Sequence, residues 1–151
     1  TDGANTTAET LFVTAIGTGG ALGRIDLSGG MLTTIGNFNG KFANQSAELT
    51  GTGDGRLFGF FTSTPVEVAQ LDKTNANSIG STPLGSVEVP NAWAFSFWGG
   101  DFYLYTASVG LSRVNRYRPS DNSVDTNYVT NVGFRIVGAG VSTCAPLDPP
   151  T

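Results

Sequence analysis

Histidine is absent from the 151 residues, and cysteine and methionine occur once each. Without an imidazole, Ser-His-Asp and Cys-His catalysis fall away, as do the usual histidine-containing zinc sites and histidine acid–base steps. A single cysteine, Cys144, rules out an intrachain disulfide. Its setting, Val141-Ser142-Thr143-Cys144-Ala145, reads as an apolar strand and predicts a buried, inert thiol. Charge is also scarce, with 13% of residues ionic and a net charge of −4. Such a chain lacks the clustered Lys and Arg that phosphate contacts demand, so no nucleic-acid surface is expected. The one basic group, Arg113, Arg116 and Arg118, reads as exposed charge on an outer strand. No run of eighteen apolar residues occurs, so no membrane-spanning helix is predicted.

What the chain has in abundance is glycine, 21 residues, spread among short apolar runs with Thr, Ser and Asn between them. That is the texture of an all-β protein rich in tight turns. The apolar runs repeat. Leu11, Leu57 and Tyr103 each sit in an apolar run, and 57 − 11 and 103 − 57 both equal 46. Ile25, Leu71 and Tyr117 repeat the same step of 46. A period in the forties, with several short strands per unit, is the mark of a β-propeller blade.

The second copy predicts four strands: Ala47 to Gly53, Arg56 to Thr62, Val66 to Lys73 and Ser78 to Val87, the last tolerating Pro83 only at a sheet edge. The third copy predicts Trp93 to Trp98, Phe102 to Thr106, Ser112 to Arg118 and Val124 to Thr130. The first copy offers Leu11 to Ile16, Ala21 to Leu27 and Met31 to Phe38, and lacks an inner strand. Ile136 to Cys144 has the missing composition: Leu49, Phe95 and Val141 are spaced by 46. The expected architecture is three four-stranded antiparallel blades over residues 11–145, with the last strand completing the first blade. Residues 1–10 read as an N-terminal linker and 146–151 as a C-terminal tail. Three blades cannot close a ring, since propellers have about four to eight. The expected partner is therefore a second copy, giving a six-bladed homodimer with the closing strand supplied within or between chains.

Thr52-Gly53-Asp54-Gly55, Leu57-Phe58-Gly59-Phe60-Phe61 and Val68-Ala69-Gln70-Leu71-Asp72-Lys73 resemble the repeat of YVTN/NHL-type propellers. In that repeat an Asp-Gly turn leads to a "LYV" strand and then to a "V-x-x-I-D" strand. Longer stretches are similar to repeat regions of secreted or lipoprotein propellers of myxobacterial type. The resemblance implies a secreted or cell-surface location, which also suits a chain beginning at Thr1, as would an excised domain. Asp26 and Asp72 match the "I-D" position, whereas the third copy has Arg118 there. If the aspartate caps the turn, Asp121 must do so in the third copy.

Propeller geometry places the loops after the second strand and the links between blades around the channel mouth. Gln45, Glu48, Asn91, Trp93 and Arg135 fall there and form the candidate ligand-binding set, suited to a glycan or a peptide. Trp93 also belongs to an aromatic strand with Phe95, Phe97 and Trp98, where packing between blades competes with sugar stacking. Tyr103 and Tyr105 are expected in the same interblade layer. Gly53-Asp54-Gly55 and Gly99-Gly100-Asp101 lack the ladder of oxygens that calcium needs and read as hairpin turns, and no cofactor is expected. A lactonase-like enzyme holding a channel cation would rest on Glu48 alone, whose counterparts at the 46 step are Ala94 and Gly140. The residues favour a non-catalytic extracellular binding or assembly module, with a carbohydrate-binding or lactonase-like propeller as the alternative.

Overall fold

The computed structural model describes residues 9–15 and 19–149; most of the N-terminal linker and part of the first loop lie outside the described residues. Eleven strands form three antiparallel sheets in meander order. The first sheet holds β1 (Leu11–Thr14), β2 (Ala21–Ile25) and β3 (Leu32–Asn37). The second holds β4 (Ala47–Gly51), β5 (Leu57–Phe61), β6 (Glu67–Leu71) and β7 (Ser78–Pro83). The third holds β8 (Ala92–Trp98), β9 (Asp101–Ala107), β10 (Arg113–Arg118) and β11 (Ser123–Val129). Each predicted strand in these sheets is found within a few residues of its expected bounds, and Pro83 ends an edge strand, where its missing N–H costs nothing. Among the described residues no helix is long and apolar enough to cross a membrane.

The sheets stack face to face like blades: successive side chains of a strand point to opposite faces, and the facing sides of neighbouring sheets are apolar. Between the first and second sheets lie Phe12, Leu22, Leu57, Phe61, Ala69 and Leu71, with Phe42 of a short 3₁₀ turn stacked on Phe61 at 4.1 Å between centroids. Between the second and third lie Phe60, Val68, Phe95, Phe97, Phe102, Leu104 and Tyr117. Gly36 permits close approach, since a Cβ there would lie 2.6 Å from the Asn75 carbonyl oxygen of the next sheet.

The repeat is visible in the backbone as well. The turns after β2, β6 and β10 each place one residue in the left-handed region, namely Gly30, Ala76 and Asn122, again 46 apart. In each turn a carboxylate accepts from the backbone and hydroxyl two residues on: Asp26 from Ser28, Asp72 from Thr74, and Asp121 from Ser123. Asp121 thus does the capping in the third sheet, as expected.

Three expectations need correction. First, the step of 46 fails for β9. Leu49 lies opposite Gly59 in the second sheet, but Phe95 lies opposite Leu104 in the third, because a two-residue turn at Gly99-Gly100 replaces the longer 52–56 connection. The counterpart of Leu57 is therefore Phe102 (102 − 57 = 45), and a shift of one residue reverses faces. Tyr103 and Tyr105 consequently point away from the interblade core, where Tyr103 meets Tyr128 at 5.6 Å and the Tyr105 hydroxyl lies 2.9 Å from Ser96 Oγ.

Second, residues 136–144 form no strand, and the first sheet has three strands instead of four. The links after β3 and β7 carry the chain forward to β4 and β8, the inner strands of the following sheets. Among the described residues no further sheet follows β11. The segment is held at Ser112, whose N–H donates to the Phe134 carbonyl (3.0 Å) and whose Oγ accepts from Ile136 N–H (2.8 Å). It then leans Val141 and Ala145 on the core between the second and third sheets. The Pro146 carbonyl accepts from Gly99 N–H at 3.0 Å, so the start of the predicted tail is packed. Third, Cys144, outside any strand, is exposed and not buried.

Candidate functional site

The inner strands β4 and β8 lie side by side, and β1 lies beside β4 because the first sheet lacks an inner strand of its own. Their convergence frames a cleft of about 330 Å³ with Glu48 and Leu49 from β4, Trp93 from β8, and Phe12 and Thr14 from β1. Thr14 ties the strands together, its hydroxyl donating to the Ala47 carbonyl at 2.8 Å.

Two polar groups in this cleft are unusual. Burial pushes the Glu48 carboxyl above its ordinary range of about 4.5, with no neighbouring cation drawing it back. The indole nitrogen of Trp93 is buried and has no hydrogen-bond partner. A buried N–H without an acceptor costs on the order of 1–3 kcal/mol. A half-buried carboxyl and the aromatic side chains of Phe12 and Trp93 match the hydroxyls and apolar faces of a sugar ring, or a peptide amide beside an apolar side chain.

The other expected site residues do not join them. Gln45 turns back, donating from Nε2 to the Lys41 carbonyl at 2.7 Å. Asn91 donates its backbone N–H to Ala107 O (2.9 Å) and its Nδ2 to Ser108 O (2.6 Å), fixing the entry to β8 against the exit of β9. Ser108 in turn donates to Glu88 at 3.2 Å. Lys41 bonds the buried Glu67 carboxylate at 2.5 Å, clamping the link before β4 to β6. Arg135 is exposed on the segment after β11, away from the cleft. The polar ring expected around the channel mouth is thus largely internal bracing. Two of the expected basic trio are braced too, with Arg116 Nε 2.6 Å from the buried Asp101 carboxylate and Arg118 Nε 3.7 Å from it.

Phe12 and Thr14 were not legible as site residues. Their role depends on the absent inner strand, which lets β1 reach β4. Nothing in the cleft supplies a second acid, and among the described residues no three His, Cys, Asp or Glu side chains group as they must to hold a metal ion. Glycoside hydrolysis generally uses a pair of carboxyl groups, so one acid suits recognition better than bond cleavage. Compared with protein-family models and with curated proteins, the chain matches none.

Proposed function

We propose that this chain is a non-catalytic binding module of the secreted or cell-surface space, a β-propeller half of YVTN/NHL-like type that pairs with a second copy into a six-bladed ring and takes a glycan or peptide at the cleft between β1, β4 and β8. The observation that carries the ligand reading is the half-buried Glu48 carboxyl standing beside the Trp93 and Phe12 side chains in one cleft. The dimer is supported by one end face. On the first sheet Leu11, Ile25 and Leu32 stand opposite one another as an apolar ladder that no other element among the described residues covers. Obligate dimers commonly bury about 2,000 Å² or more of such surface. The secreted or surface location rests on the resemblance of the repeat.

A glycan array, followed by titration of any hit into Glu48→Gln and Trp93→Phe, tests the ligand reading. Specific binding lost in both variants is the expected outcome. A stoichiometric channel cation, with hydrolysis of a lactone or glycoside abolished by Glu48→Ala, would replace this reading with the enzymatic alternative.

A further inference from the structure

We propose that residues 136–144 are the missing inner strand of the first sheet, donated to a second copy of this chain. The inference rests on the dimeric reading above and specifies how that dimer is locked. Within the chain the rule of connection is visible twice: β3 leads through 38–46 into β4, and β7 leads through 84–91 into β8, each time the inner strand of the following sheet. Continuing from β11, a link of similar length delivers 136–144 to the inner position of whatever sheet comes next. Among the described residues the one sheet with that position empty is β1-β2-β3, where β1 pairs only with β2. It stands at the opposite end of the stack from β11 and takes no strand from its own chain among the described residues, so the strand is assigned to the first sheet of another copy.

The first part of the segment fits a strand awaiting its sheet, while Val141 and the following Ala145 pack on the core of their own chain. Ile136-Val137-Gly138-Ala139-Gly140-Val141 is apolar, yet Val137 is 73% exposed and a Cβ at Gly138 or Gly140 would touch nothing. Residues 139–143 face Leu11 and Phe12 of their own chain across a cleft of about 210 Å³ and still do not pair with β1.

Both complete sheets dictate the same register. Leu49 opposite Gly59 and Phe95 opposite Leu104 each map to Val141 opposite Val13. Antiparallel pairing then sets Cys144 opposite Thr10, and facing Cα atoms in an antiparallel pair lie about 4.5–5.5 Å apart, within disulfide reach. Two copies give six blades, inside the range of about four to eight that close a ring.

The test mixes the unmodified chain with a differently tagged chain carrying Thr10→Cys and Cys144→Ala, under mild oxidation, with light scattering on the same sample. The expected product is a disulfide-linked heterodimer, sharply reduced when the unmodified partner carries Gly140→Pro, a change placed in open space in the single chain. Thr10→Cys alone yielding a disulfide within one chain would overturn the exchange in favour of self-completion. A dimer by scattering with no heterodimeric disulfide would overturn the exchange and leave the ring standing. A monomer would overturn both.

Discussion

The first and second sheets carry the same apolar positions and meet different fates. Leu11 and Leu57 are counterparts 46 residues apart, yet Leu11 is 46% exposed and Leu57 only 5%. Ile25 is half-buried where Leu71 is 2% exposed. Side-chain chemistry is not the cause, since Leu, Ile and Leu recur. The second sheet has a neighbour on each face and the first has a neighbour on one. Among the described residues that apolar ladder has nothing across it, and it is the surface that the proposed dimer would cover.

The comparison breaks most sharply by deletion on each side. Phe61→Ala removes a ring that is fully buried against Phe38 and Phe42 and is expected to cost about 3–5 kcal/mol in urea unfolding. Leu32→Ala, on the uncovered ladder at 60% exposure, is expected to change the single chain's stability by under about 0.5 kcal/mol while weakening association. Equal costs for the two would show that the ladder is already covered within the chain.

The free face of the third sheet answers with polar order instead of bare apolar surface. There Asp101→Asn removes the buried acceptor of Arg116, with an expected loss of about 1.5–3 kcal/mol in thermal or urea unfolding. A loss smaller than that of an exposed pair such as Arg118–Asp121 would mean the carboxylate is not holding β9 to β10.

Acid separates turns from cleft with smaller effects of opposite sign. Hydrogen bonds from Ser28, Thr74 and Ser123 hold Asp26, Asp72 and Asp121 below the ordinary 3.8. Their folded form favours the carboxylate, so their stabilisation is full above 3.8 and is lost as pH falls further. The melting temperature is expected to drop through that window, less so in Asp72→Asn. Glu48 runs the other way: burial raises its pKa above 4.5, so its folded-state advantage exists at low pH and disappears as pH rises. Glu48→Gln is expected to raise the melting temperature slightly near neutrality and not at pH 4. A destabilised Glu48→Gln would show that the carboxylate has a partner in the fold.

The strands, the turns and the aspartate caps were readable because each depends on neighbours close in sequence. Leu57 and Leu71 announce a buried ladder, and Asp121 beside Asn122 announces the third cap. The inversion of Tyr103 was not readable from the period, since one residue gained or lost in a hairpin turn exchanges the two faces. Glu48 and Trp93 were found together because inner strands β4 and β8 adjoin, as the repeat requires. Asn91 and Gln45 do not line the cleft with Glu48 and Trp93; their amides donate to nearby backbone, an economy that composition does not reveal. Cys144 was misplaced with its strand, which no sheet within the chain takes up.

That uncovered sheet is most directly tested by sedimentation velocity of the unmodified chain at micromolar concentration. A half-ring that requires a second copy predicts a single species of twice the 15.7 kDa chain mass, converted to monomer by a lysine at Leu32. A stable species of one chain mass, with an intact thermal transition and no dependence on concentration, would contradict it.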